Sequence, residues 1–167
     1  IWGFFGKDVT ILKSMWEMVK RLEWSNNTAT PRRILVGMTL IGAQTVGCKR
    51  CVNFHESHLI KQEGLNAEEV ARIKNYEDSY KRGLLQEKEY WALKFADKLA
   101  LAQEVTEDEW TKLGSLFTEE QIFEMIMAVL VESILSRYGS ILAKYDQSTE
   151  WPSQYVLSKE YMKAISK

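Results

Sequence analysis

Two cysteines and one histidine have the types and spacing that thiol chemistry requires. Cys48 and Cys51 are the only cysteines in the 167 residues and lie three positions apart, and His55 follows four positions after Cys51. At about 100° per residue, the three side chains share one face of a helix. Because the thiolate is the reactive form of cysteine, a base one turn away suits a thiol–disulfide reaction.

The start of this helix should favour ionisation of the thiols. Gly47 interrupts the preceding helical pattern, so a helix is predicted from Cys48 to about Glu63. The positive end of the helix dipole lowers the pKa of a thiol in the first turn, and Lys49 and Arg50 add positive charge there. In a helix, the Cβ atoms of two residues that are three positions apart are separated by a longer distance than the Cβ atoms of a relaxed disulfide. A bridge is therefore expected to strain the turn and to be easily reduced.

Two other interpretations of these residues stay open. His58 lies on the same face, but ligands spanning Cys48 to His58 cover about 15 Å of helix and cannot all surround one zinc ion. We therefore predict no metal and no cofactor. Alternatively, the cysteines are small buried hydrophobes and His55 is a hydrogen-bonded core residue. The combination of spacing, helix start and flanking cations favours redox chemistry, whereas His58 is more typical of a structural residue.

Helical patterns and capping residues recur along the whole chain and predict an all-α fold. A helix capped by Asp8 is predicted through about Glu23, and a largely apolar, buried helix from Thr30-Pro31 to about Val46. Further helices are predicted over 66–81 and 86–103, from Thr106 with Glu109, and from Thr118 with Gln121 to about Lys144. The predicted organisation is an N-terminal helical arm (1–30), a helical core domain (31–145) and a C-terminal tail with a short helix (146–167).

Composition argues against several classes of partner. The net charge of −1 gives no field that would attract nucleic acid. The apolar runs are far shorter than the roughly 20 residues of a membrane span, so no membrane contact is expected. No signal peptide is recognisable, and a cytoplasmic location is predicted.

The pattern Cys48-x-x-Cys51-x-x-x-His55 after a buried helix resembles the signature of the AhpD-like and carboxymuconolactone decarboxylase family. The likeness covers roughly residues 32–142, including the stretch from Tyr90 to Leu101 and the helix start after Phe117. It implies a multi-helical AhpD-like domain that assembles into trimers or hexamers. It also implies reduction of a small hydroperoxide or a disulfide, with a protein or small-thiol reductant. By position, the resemblance implies that Cys51 attacks, that His55 accepts its proton, and that Cys48 is the resolving partner that forms the disulfide.

One position departs from this family pattern. Members usually carry a glutamate about a dozen residues before the first cysteine, as part of a proton relay, and here that position is Val36. Glu132 lies in an otherwise apolar stretch of the late helix. A buried carboxylate needs a partner, so Glu132, with Arg137 and His58, is a candidate for the relay or the pocket. A structural ion pair of Glu132 with Arg137 or His55 is the alternative.

Two other functions stay open at this point. A lactone enzyme like carboxymuconolactone decarboxylase needs no paired cysteines, so the pair counts against that branch. A non-catalytic oligomeric binding protein could retain the cysteine–histidine motif while losing the relay glutamate.

Overall fold

The structure, a computed structural model, describes residues 8–145 of the chain and the side chains of residues 8–140. In this range it contains α-helices, one π-helical turn and no strand, which confirms the predicted all-α fold. The short helix predicted in the C-terminal tail and the first seven residues of the N-terminal arm lie outside the described residues. The α-helices are α1 (Val9–Val19), α2 (Arg32–Thr45), α3 (Lys49–Lys61), α4 (Ala67–Lys74), α5 (Tyr76–Lys81), α6 (Glu87–Ala100), α7 (Glu107–Leu116) and α8 (Glu119–Tyr145).

Helix α2 forms the centre of the fold. It packs against α3, α6 and α8, and every residue from Leu35 to Ala43 is buried. This is the helix that the sequence predicts to be apolar on most sides, and burial of its apolar surface is the main force that gathers the other helices. Gly42 faces α8, since a Cβ atom there would lie at ordinary contact distance from Val129, 3.5 Å, and from Glu132, 4.0 Å.

Helix α1 packs against α8 and continues into a π-helical turn, Lys20–Trp24. Asp8 caps α1 as predicted, because its carboxylate accepts from two backbone N–H groups at 2.9 and 3.1 Å. The buried face comprises Leu12, Met15, Val19 and Leu22, whereas the apolar Ile11 is 52% exposed. The π turn holds more residues than an α turn, and Glu23 within it is buried.

A buried carboxylate on α8 fixes the loop before α2. Glu124 accepts hydrogen bonds from the backbone N–H groups of Ala29 at 3.0 Å and Thr30 at 2.7 Å. Arg21 pairs with the same carboxylate at 3.4 Å. Helix α2 begins one residue later than predicted, with Pro31 rather than Thr30 at its N-cap, because the Thr30 N–H and hydroxyl are used in contacts with α8.

The later helices follow the predicted segments with one break. The capping boxes at Thr106 and Thr118 are present and open α7 and α8. The helix predicted over 66–81 is two helices, because Asn75 leaves the helical conformation and its side-chain amide donates to the carbonyl of Ala71. Among the described helices, none combines the length and the apolar character that a membrane crossing requires.

Candidate active site

A tight turn between α2 and α3 positions the first cysteine. Gly47 has φ +78°, a left-handed conformation that glycine adopts without steric cost. The Cys48 N–H donates to the carbonyl of Ala43 at 3.0 Å and closes the C-terminus of α2. Cys48 thereby becomes the N-cap of α3, and Cys51 lies in its first turn.

Cys48 and Cys51 are joined by a disulfide. The N-cap residue Cys48 has φ −82° and ψ 86°, outside the helical region, and the two Cα atoms are 5.4 Å apart. The sequence predicts both cysteines inside the helix, but the helix begins at Lys49, so the bridge spans the cap instead. Both residues are buried. The Cys51 N–H lies 3.4 Å from the Cys48 sulfur, so the positive end of α3 points at that atom.

His55 is buried one turn after Cys51 and lies between two carboxylates. Its Nε2 is 2.9 Å from Oε2 of Glu132 on α8. Its Nδ1 is 3.6 Å from Oε2 of Glu23 in the π turn and 3.3 Å from the hydroxyl of Thr39 on α2. The other oxygen of Glu132 accepts a hydrogen bond from Ser136. Among the described residues, the hydrogen bonds of the imidazole go to oxygen atoms and not to a sulfur.

Burial and charge shift the pKa values of this cluster. Burial raises the pKa of Glu23 to about 7; His55 opposes this rise and Glu132 adds to it. Burial lowers the pKa of His55, but the negative charges of Glu23 and Glu132 and the hydrogen bond to Glu132 outweigh burial and raise it above its usual value. The cluster can therefore take up or release a proton near neutral pH.

Glu23 is the member of the site that the sequence analysis missed. Val36, which occupies the position of the family's relay glutamate, is buried in the core. Glu23 instead places a carboxylate next to His55 from the π turn. A signal was available, because Glu23 lies four residues after Val19, in register with the apolar face of α1. A carboxylate on the apolar face of a helix is costly to bury without a partner, so its presence there suggests a special role. In the structure, Oε2 of Glu23 is buried and has no hydrogen-bond partner.

The structure brings Glu132 to His55, whereas Arg137 and His58 make no hydrogen bond or ion pair with His55 among those of the described residues. Arg137 is exposed, and its guanidinium donates to the carbonyl of Ala100 at the end of α6, at 3.2 Å. His58 is buried against Trp24, with ring centroids 4.4 Å apart, and neither of its nitrogens has a hydrogen-bond partner. Burial, and then the charge of His55, lower the pKa of His58 to about 4. His58 is therefore neutral at physiological pH.

Solved structures of other proteins resemble this one, and two of them illustrate the likeness. An uncharacterised peroxidase-related protein from Silicibacter sp. TM1040 superposes with a TM-score of 0.74 and 16% sequence identity, covering 85% of this chain and 73% of that one. A protein of unknown function from Agrobacterium tumefaciens, proposed to be the antioxidant defence protein AhpD, superposes with a TM-score of 0.71 and 16% identity. That match covers 90% of this chain and 97% of the other. The chain has an AhpD-like fold.

Searches based on sequence add nothing to this result, because no protein-family model and no curated protein matches the chain. At 16% identity, the two structural matches establish the AhpD-like fold and not an activity. The chemistry of this AhpD-like domain therefore has to be argued from its own side chains.

The buried cluster of the AhpD-like domain suits a hydrogen-bonded chain better than a metal ion. Glu23, His55 and Glu132 each offer a ligand atom, and these atoms lie within 4.8 Å of one another. The two carboxylates, however, face different nitrogens of one imidazole. Nε2 of His55 lies 2.9 Å from Oε2 of Glu132, which is the distance of a direct hydrogen bond between the two groups.

An aromatic cover lies beside this cluster. We use the term for Trp24, Phe54 and His58, whose rings contact one another. The Phe54 ring lies edge-on to His55, with centroids 5.2 Å apart, and is 49% exposed. Trp24 is 39% exposed and follows Glu23 directly in the chain. The surface over the His55 cluster is thus apolar.

The variant Glu23→Gln should have a flatter pH dependence of stability than the wild type. A carboxyl whose pKa is higher in the folded chain contributes stability at low pH. It loses that contribution as the pH rises from its unfolded value of 4.5 to about 7. Over this range we expect the free energy of unfolding of the wild type to fall by up to about 3 kcal/mol relative to the variant. Urea unfolding at a series of pH values measures this difference, and a constant difference between the two proteins would contradict it.

Proposed function

We propose that this protein is a thiol–disulfide oxidoreductase of AhpD type that reduces a hydroperoxide or a disulfide through Cys48 and Cys51. One observation carries the proposal: the disulfide at the N-terminus of α3 lies one turn from a histidine buried between two carboxylates. The descriptions of the two structural neighbours, one as peroxidase-related and one as an antioxidant defence protein, agree with this chemistry.

The reaction transfers two electrons from the dithiol to the substrate. A cysteine thiolate attacks an oxygen of the hydroperoxide, the O–O bond breaks, and the leaving alkoxide takes a proton to become an alcohol. The attacking cysteine is now a sulfenic acid. The second thiol attacks its sulfur, so that the disulfide forms and water leaves. Two thiols from a protein or small-molecule reductant then restore the dithiol by exchange.

The His55 cluster supplies the protons for these steps. In the disulfide form both nitrogens of His55 face oxygen atoms, so we assign proton storage to the whole cluster rather than to the imidazole alone. Glu132 orients the ring and stabilises its charged form. Glu23, with a pKa of about 7, exchanges a proton with the ring near neutral pH. We therefore assign to Glu23 the proton-relay role of the family glutamate, whose position is occupied by Val36 in this chain.

The aromatic cover favours an apolar substrate. A hydroperoxide with an alkyl or aryl group can place that group against Phe54 and Trp24, whereas hydrogen peroxide gains nothing from such a surface. We therefore propose organic hydroperoxides as the preferred oxidants.

A stoichiometric oxidation tests the proposed function. The full chain is reduced, freed of reductant and mixed with cumene hydroperoxide. Each chain should consume one equivalent of peroxide and lose two titratable thiols, and the variant Cys48→Ser/Cys51→Ser should consume none. If the peroxide oxidised the two thiols no faster than it oxidises free cysteine, the result would contradict the proposal and favour a non-catalytic binding protein. Turnover of a lactone by protein with alkylated thiols would instead support the decarboxylase-like alternative.

A further inference from the structure

The hydroxyl of Thr39 lies beside His55 and faces the ring nitrogen Nδ1. Its Oγ1 is 3.3 Å from Nδ1 of His55 and 3.0 Å from the carbonyl oxygen of Val36. Thr39 belongs to the central helix α2 and is fully buried. A threonine hydroxyl has one hydrogen that it can donate and two lone pairs that can accept. It can therefore form a hydrogen bond with Nδ1 in either direction.

The carbonyl of Val36 determines what the Thr39 hydroxyl does when His55 is charged. Both nitrogens of an imidazolium carry a hydrogen, so Oγ1 of Thr39 accepts from Nδ1–H. The hydroxyl hydrogen then needs an acceptor of its own, and the Val36 carbonyl provides one at 3.0 Å. The hydroxyl is thus satisfied both as donor and as acceptor, which its complete burial requires.

The same hydroxyl can turn when His55 becomes neutral. Nε2 lies 2.9 Å from Oε2 of Glu132, whose other oxygen accepts from Ser136. Because a carboxylate can only accept, the hydrogen that remains on the neutral ring is the one on Nε2. Nδ1 then has a free lone pair and needs a donor. Oγ1 of Thr39 can rotate its hydrogen from the Val36 carbonyl to Nδ1 without moving a heavy atom.

Glu23 is placed to take the hydrogen that leaves Nδ1. Its Oε2 lies 3.6 Å from Nδ1, is buried and has no hydrogen-bond partner. The transfer breaks the Nδ1–H bond, forms an O–H bond on Glu23 and converts an ion pair into two neutral groups. Among the described residues, the charged groups that act on the ring are Glu23 of the π turn and Glu132 of α8. His58, on the same helix as His55, is neutral at physiological pH.

We propose that Thr39 is a positioning residue that makes Nδ1, and not Nε2, the nitrogen of His55 that gains and loses the proton. Its hydroxyl accepts from Nδ1–H of the charged ring and donates to Nδ1 of the neutral ring, while Glu132 keeps the hydrogen on Nε2. The proton of the cluster therefore moves between His55 and Glu23. Only the effect of Thr39 on hydroperoxide turnover rests on the proposed function, because the protonation of the ring can be measured without a substrate.

Nitrogen NMR of the full chain, labelled at its two histidines, tests the assignment of Nδ1. The chemical shift of a ring nitrogen shows whether it carries a hydrogen. In a pH titration of the disulfide form, Nδ1 of His55 should lose its hydrogen while Nε2 keeps its own. The variant His58→Phe identifies the signals, because only those of His55 remain. Loss of the hydrogen from Nε2, or a ring that stays fully protonated up to the pH at which the protein unfolds, would overturn the proposal.

Two substitutions at position 39 separate the hydroxyl from its packing. Thr39→Val keeps the shape without the hydroxyl and removes a hydrogen bond that is stronger for the charged ring than for the neutral one. The pKa of His55 should therefore fall by about half a unit to one unit. Thr39→Ser keeps the hydroxyl and should restore the wild-type titration. Thr45→Val is the matched control, because Thr45 lies on the same helix and its hydroxyl donates to Asp97. An unchanged titration in Thr39→Val, or a Thr39→Ser protein that titrates like Thr39→Val, would overturn the proposal.

The rate of hydroperoxide turnover separates this proposal from the proposed function. Thr39→Val should lower kcat at neutral pH by about three- to tenfold, a smaller loss than removal of His55 causes, because the imidazole remains. Thr39→Ser should recover most of this rate. If the NMR titrations give the expected result but the wild type consumes no hydroperoxide, the proposed function fails and the assignment of Nδ1 stands.

Discussion

Cys51→Ser should lower the rate of hydroperoxide reduction at least about a thousandfold, because a serine hydroxyl is not ionised at neutral pH and cannot replace a thiolate. Cys48→Ser should behave differently. It keeps the attacking thiol assigned by family resemblance but lacks the second sulfur, so it should react once, stop at the sulfenic acid and fail in a reductant-coupled assay. Stopped-flow mixing with cumene hydroperoxide, followed by mass spectrometry of the product, separates the two cases.

The comparison also decides which cysteine attacks. The Cys48 sulfur receives the N–H of Cys51 at the end of α3, so the helix favours a thiolate at Cys48, whereas family resemblance assigns the attack to Cys51. A sulfenic acid on Cys48 in the Cys51→Ser protein would reverse the assignment and keep the mechanism. Ala43→Ser is the matched control, because Ala43 is buried in the same cluster as both cysteines. It should retain turnover. Full coupled activity in both cysteine variants would contradict the mechanism itself.

The substitution His55→Gln should reduce kcat for hydroperoxide turnover by about a hundred- to thousandfold, within the usual range for loss of a general acid–base group. Glutamine can hydrogen-bond to Glu132 or Thr39 but cannot carry a proton between them. The rate of thiol alkylation by iodoacetamide, measured against pH, provides a second readout. The thiol pKa of the variant should move towards the ordinary value of about 8.5.

His58→Phe is the matched control for this experiment, because it keeps an aromatic ring in the cover and removes only the two unpartnered ring nitrogens. His58 lies on the same helix, is buried like His55 and has no contact with either carboxylate among the hydrogen bonds and ion pairs of the described residues. Its removal should leave kcat and the alkylation profile near those of the wild type. Equal losses in the two variants would indicate that both histidines act through packing, and would remove His55 from the proton transfer steps.

The sequence alone determined the features that depend on neighbouring residues. Helical periodicity gave the all-α fold, and the capping residues Asp8, Thr106 and Thr118 marked helix starts that the structure contains. Gly47 marked the end of α2, because only a residue that tolerates positive φ can turn the chain there. The i, i+3 and i+4 spacing of Cys48, Cys51 and His55 placed them together for the same reason: within one helix, sequence separation fixes distance.

Only the tertiary structure decided which carboxylates reach His55. Glu23 and Glu132 are 32 and 77 residues away from it in the chain, and their positions depend on how α1, its π turn and α8 pack around α2. No local pattern encodes such a contact, since the packing angles depend on all the side chains between the helices. Helix α8 packs against α2 in the orientation that lets Glu132 reach Nε2. The π turn brings Glu23 to within 3.6 Å of Nδ1, the other ring nitrogen. The sequence therefore specified the thiols and the histidine, and the fold supplied the two carboxylates that surround it.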